Sequence, residues 1–92
     1  MSILAVPYFM GDPMQGFDVP TPNVHVHPAL PEGTPQQRMA VLYHRLADEV
    51  AARDRPVVYA GDCVSIIGVL AGLDRRAIHP TLVFFDAHGD FN

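Results

Sequence analysis

Residues 57–86 read VVYAGDCVSIIGVLAGLDRRAIHPTLVFFD, and this stretch decides the fold. Val57–Ala60 is a β-branched and aromatic run, the composition of a short buried strand. Gly61-Asp62 then turns the chain. Cys63 to Leu73 is apolar throughout and predicts a helix with no polar face. Gly68 and Gly72, four apart, place two spots without side chains on one side of that helix, which predicts close packing against a sheet. Asp74-Arg75-Arg76 ends the run, and Thr81–Phe85 predicts a further buried strand. Continuous apolar strands separated by helices mean a parallel sheet with both faces covered.

Working back toward the amino terminus, the clearest segment follows Gly33. Thr34 suits an N-cap, Pro35 the first helical position, and Gln37 completes a Thr-x-x-Gln capping box. Met39, Leu42, Tyr43, Leu46 and Val50 then repeat at helical spacing, with Arg38, Arg45, Asp48, Glu49 and Arg53 on the other side. Asp54-Arg55-Pro56 stops the helix. Before it lies a long Gly/Pro-rich loop over 10–33, a length that a compact domain keeps for a lid, a binding loop or an oligomer contact. Within it Val24-His25-Val26-His27 alternates like a short strand, which Pro28 would end. Ser2 to Phe9 reads as a buried strand; Pro7, with no amide hydrogen, marks either an edge or an early end to pairing. The order is β–loop–α–β–α–β, an α/β class chain forming a single partial domain over 1–92.

Composition narrows the function. The chain has 92 residues, 49% of them apolar and 17% charged. A chain this short buries a smaller share of its surface than a large one does, so part of the burying surface is expected elsewhere. The net charge is −4, and the only adjacent basic pair is Arg75-Arg76. That argues against a nucleic-acid backbone or an anionic membrane as partner. The longest apolar run, Cys63–Leu73, is too short to cross a bilayer. Met1-Ser2-Ile3-Leu4 lacks the basic segment of a secretory signal, and one cysteine forms no internal disulfide. A cytoplasmic protein is expected.

Two segments follow strands and could carry chemistry: Gly61-Asp62-Cys63 and Asp86-Ala87-His88-Gly89-Asp90. In an open parallel sheet the carboxyl ends of the strands border the ligand crevice. If residues 86–90 are partly extended, alternation brings Asp86, His88 and Asp90 to one point. Two carboxylates and an imidazole suit manganese, with zinc, cobalt or iron as rivals. A polar turn with a solvated His88 is the plainer alternative. A Cys63–His88 nucleophile pair is a further possibility, but no third group or oxyanion signal accompanies it. His25 and His27, spaced to chelate, would ordinarily be solvated in a Pro-rich loop; His44 and His79 read as surface histidines.

Tyr59-Ala60-Gly61-Asp62-Cys63, then Ile66-Ile67-Gly68, then Val83-Phe84-Phe85-Asp86-Ala87-His88-Gly89-Asp90-Phe91-Asn92 resembles the arginase (ureohydrolase) family. The family has a Gly-Gly-Asp-His-Ser motif, a helix with a glycine, and a strand ending in Asp-Ala-His-x-Asp. Val6-Pro7-Tyr8 with the loop after it also fits the family's beginning. The resemblance implies a three-layer α/β/α fold with a parallel sheet, of which this chain is the amino-terminal part. It implies two manganese ions whose bridging hydroxide attacks a guanidinium or amidine carbon of a small-molecule substrate. By position Asp86 would bridge the ions, His88 would bind one and Asp90 the other, and Asn92 would contact a substrate carboxylate. Cys63 stands where the family has a metal-binding His, and Val64 where it has Ser. A thiolate at Cys63 would favour zinc or iron; a neutral thiol would leave one ion weakly held or absent.

The resemblance further implies a homo-oligomer, or completion of the centre by the remainder of the same chain. Its Asp-x-Asp pair and a further His and Glu have no counterpart in these 92 residues. The length is accordingly read as a truncation. Two alternatives stand beside the hydrolase: an arginase-like binding or assembly subunit with a degraded metal centre, and a stand-alone domain with one ion on Asp86, His88 and Asp90.

Overall fold

The computed structural model describes residues 1–19, 21–83 and 85. Strand β1 (Ser2–Val6) is the middle strand of a three-stranded parallel sheet. Its apolar residues are the reason for that place: Leu4, Ala5 and Val6 are all but inaccessible to solvent. Pro7 cannot donate to a ladder, and the strand stops before it. The single strand expected over 2–9 is therefore divided, because the chain bends at Pro7 into β2 (Tyr8–Phe9). β2 pairs antiparallel with β3 (Asp12–Pro13) across Met10 and Gly11. Both turn residues have positive φ, 50° and 86°, as a two-residue hairpin turn of the primed type requires.

The 10–33 loop contributes the sheet's second strand. β4 (Val24–His25) runs parallel to β1, with Leu4 opposite Val24 and Ala5 opposite His25. Asn23 fastens the pairing at both ends of its side chain and backbone: Ile3 N donates to Asn23 Oδ1 at 2.7 Å and Asn23 N donates to Ile3 O at 2.8 Å.

Helix α1 (Pro35–Ala51) begins as its sequence requires. Gln37 N donates to Thr34 Oγ1, and Thr34 N donates to Gln37 Oε1, so both halves of the capping box form. Leu42, Tyr43, Leu46 and Val50 are buried as expected, Ala47 joins them, and Met39 packs on the margin. Glu49 accepts from Arg45 and Arg53, each one turn away on the polar side.

β5 (Pro56–Ala60) pairs parallel with β1 along its whole length, Ser2 opposite Pro56 through Val6 opposite Ala60. Leu4, Val6, Val26, Val58 and Ala60 share one sheet face and meet α1 in a single core. On the other face Ala5 sits in register between His25 and Tyr59, both of which remain exposed.

The last helix, α2 (Ile66–Arg75), starts three residues later than expected. The donors of Ile66, Ile67 and Gly68 bond three residues back, to Cys63, Val64 and Ser65, so residues 63–65 form a tight turn and not helix. Gly68 and Gly72 do mark a close approach, but to α1 and not to the sheet. A Cβ on Gly72 would stand 2.7 Å from Ala47 O and 2.7 Å from Val50 Cβ. The helix ends in a Schellman arrangement: Ile78 N donates to Leu73 O, Ala77 N donates to Asp74 O, and Ala77 takes the left-handed conformation. Both helices thus lie on the same sheet face, two layers among the described residues.

The strand expected over 81–85 is not found among its described residues. Thr81, Leu82, Val83 and Phe85 form no strand and are exposed, Phe85 at 95%. Among the described residues the sheet has three strands, with β4 on the side of β1 away from β5. A β-branched apolar run needs a paired neighbour as well as the right composition, and among the described residues β5 pairs with β1 alone.

Candidate functional site

The carboxyl ends of β1 and β5 are joined by one side chain, Asp62. Its Oδ2 accepts from Met10 N at 2.6 Å, at the tip of the β2–β3 hairpin. Its Oδ1 accepts from Ser65 N at 3.0 Å and Ser65 Oγ at 2.8 Å. The carboxylate therefore caps the 63–65 turn and ties it to the loop after β1. Gly61 is required beneath it: a Cβ there would fall 2.4 Å from Tyr8 O and 2.2 Å from Met14 Sδ. The sequence marks Gly61-Asp62 as a turn and, with Cys63, as a segment that could carry chemistry. The signal for more was the Asp-x-x-Ser spacing, which lets an aspartate cap the turn that follows it.

Cys63 projects beside this anchored carboxylate and is exposed. It lies in the turn ahead of α2, so the placement at a helix N-terminus expected for it is not met. It borders an open groove of about 450 Å³ between α2 and the edge of β5 that is unpaired among the described residues. Val58 and Ala60 line the groove from the sheet, Ile66 and Val69 from the helix, and Val83 and Phe85 from the segment after it. Mostly apolar walls with Asp62, Cys63 and Ser65 at one end match the usual make-up of a small-molecule cleft.

Of the residues expected to hold metal, only Cys63 is described. Asp86, His88 and Asp90, with Asn92 for substrate, lie outside the described residues. Among the described residues no group of three or more His, Cys, Asp or Glu side chains converges as a metal cage. Cys63 suits a single ligand, since it is a free, exposed cysteine. Asp62 is less suited, because both oxygens already accept from neighbouring groups.

Tyr43 reaches toward the same turn from α1. Its hydroxyl is buried and makes no hydrogen bond. Burial raises its pKa above the ordinary 10.0, the negative charge of Asp62 adds to the rise, and the nearby Ser65 hydroxyl opposes it. His44 and His79 are on the surface, as expected; His44 Nδ1 lies 3.3 Å from the Arg75 guanidinium and His79 Nδ1 lies 3.8 Å from an Asp74 oxygen. No helix among the described residues is long and apolar enough to cross a membrane.

No protein-family model, curated protein or solved structure matches this chain.

Proposed function

We propose that this chain contributes to an arginase-like, metal-dependent hydrolase that cleaves a carbon–nitrogen bond in a small guanidino or amidino compound. One observation carries the reading: Cys63 borders the same groove as Val83 and Phe85, the residues that lead into Asp86. The groove that Cys63 borders is thus also bordered by the segment that leads into the second motif, beside β5.

In this reading Asp86, His88 and Asp90 hold two manganese ions with Cys63 as a further ligand, and Asn92 meets a carboxylate of the substrate. A pair of divalent ions supplies hydroxide near neutral pH. The chain's own part is to fix the loops around them. Asp62 holds the turn that carries Cys63, and the apolar walls from Val58, Ala60, Ile66 and Val69 limit access of water to that side. Within a complete fold of this type the sheet would be covered on both faces, as a three-layer α/β/α architecture.

Metal content after exhaustive dialysis tests the proposal. Retained manganese or zinc that is lost in both Asp86→Asn and His88→Ala supports it. Equal metal content in the parent and both variants overturns it. Cys63→His should move the preference from zinc toward manganese, since a thiolate is the softer ligand.

A second reading, a binding or assembly subunit without a working centre, is favoured by a different observation. Leu82, Val83 and Phe85 are exposed beside the edge of β5 that is unpaired among the described residues, three adjoining apolar side chains on one groove. Self-association without retained metal would support that reading over the hydrolase.

A further inference from the structure

A second cluster of ligating side chains stands on the opposite edge of the sheet, at β4. His25 and His27 flank Val26, which is fully buried in the core. Val26 takes the core, and the imidazoles on either side of it are both exposed, His25 as the last residue of β4 and His27 just beyond it. Their rings lie nearly parallel, 10° apart, with centroids 5.9 Å from one another. The backbone beneath them is pinned to β1, Val26 N donating to Ala5 O at 2.8 Å. This is a rigid frame, unlike the free loop in which two histidines would simply be solvated.

The third member is Tyr8. Its ring is buried, and its hydroxyl oxygen lies 3.4 Å from His27 Nδ1. Burial raises its pKa, against the opposing charge of Arg38, so the group stays a neutral hydroxyl. A neutral phenol can donate to Nδ1 or accept from Nδ1–H. In the arrangement in which it accepts, His27 Nε2 carries the free lone pair. Metal-ligating histidines are oriented in this way by a group behind the ring.

We propose that His25 and His27 form a two-imidazole chelate for a borderline divalent ion of the zinc or copper class, with Tyr8 as the positioning residue that holds His27 in its ligating tautomer. Imidazole nitrogen suits these ions better than manganese or magnesium. Rotation about χ2, a broad torsion in histidine, can turn the two rings toward one ion. Water or a donor from another molecule would fill the remaining positions. The site shares no residue with the centre proposed above.

A Zn²⁺ titration of the full chain, read from the ¹⁵N shifts of each imidazole ring, tests this residue by residue. The Nε2 signals of His25 and His27 are expected to move together, at lower Zn²⁺ than that of His44, which faces the Arg75 guanidinium. His25→Ala should weaken the response of His27 by on the order of a hundredfold, because the second ligand acts at high effective concentration. Tyr8→Phe keeps the buried ring and should weaken the pair about tenfold. Independent shifts of His25 and His27, or shifts no earlier than that of His44, overturn the chelate. An unchanged affinity in Tyr8→Phe overturns the positioning role. Because each ring reports separately, loss or gain of metal at His88 leaves this outcome unaffected.

Discussion

The two helices meet along one seam yet rest on it in opposite ways. α1 carries its own instructions: a closed capping box at its start, five buried residues along one stripe, and the sheet beneath them. α2 has no side-chain cap at its start, and the only residues it fully buries are Gly68 and Gly72. Its larger side chains, Ile66 and Val69, look into the open groove beside β5, and Ile67 is 56% exposed. The first helix is stabilised by what it covers; the second is positioned by what it lacks. Such a helix is well placed to border a site, because its apolar flank is not consumed by the core.

Leu46 is where the two arrangements share a residue. It is fully buried, and its Cδ2 would lie 3.0 Å from a Cβ on Gly68. Leu46→Ala should lower unfolding stability by about 2–5 kcal/mol, measured by urea denaturation. The loss should reach both helices. If hydrogen exchange shows α1 weakened while α2 keeps its protection, α2 is held by something other than this seam.

Gly72→Ala separates the helices more selectively. The added methyl would meet Ala47 O and Val50 Cβ at 2.7 Å each, and a backbone carbonyl cannot move aside as a flexible side chain does. Overpacking of this kind costs about 1–3 kcal/mol. Amide protection should fall in α2 and along the free edge of β5, while Leu42–Val50 of α1 stays protected. Uniform loss across both helices would mean that they fold as one unit and that the contrast between them is only one of surface.

What could be read from the sequence follows the same division. The α1 boundaries were legible because Thr34, Pro35 and Gln37 act on backbone groups within one turn of themselves. β5 was legible because Val57–Ala60 is β-branched and aromatic between two breakers. β4 was visible only as an alternation, since two residues become a strand by pairing with Leu4 and Ala5, some twenty positions away. The Gly68–Gly72 spacing announced a close approach but not its partner; a missing side chain fits a helix as well as a sheet. Thr81–Phe85 shows the converse. Its composition is that of a strand, yet Leu82, Val83 and Phe85 stand exposed beside an unpaired edge. Composition says what a segment can become, and partners decide whether it does. The candidate site divides likewise: Cys63 was identified, whereas the structural work of Asp62 depends on Met10, a contact across 52 positions. Asp86, His88 and Asp90 lie outside the described residues.

The smallest expected effect concerns the point where α1 touches the turn before α2. Among the described residues no partner bonds the buried Tyr43 hydroxyl at good geometry, and only the nearby Ser65 hydroxyl offsets its desolvation cost. Tyr43→Phe should therefore be neutral or stabilising at pH 7, by about 0–1 kcal/mol. Its distinguishing signature is at high pH. The folded-state pKa of Tyr43 lies above the ordinary 10.0, so folding favours the protonated phenol. That contribution is fully present below pH 10 and is lost as pH rises through the higher folded value. The parent protein should lose stability over this alkaline range, and Tyr43→Phe should lose less. Tyr8, raised in the same direction by burial, should leave part of the decline in place. Urea midpoints measured from pH 8 to pH 11 would decide it. Parallel curves for the parent and Tyr43→Phe would show that the hydroxyl is solvated, and that the seam between α1 and the Asp62–Ser65 turn is looser than its burial implies.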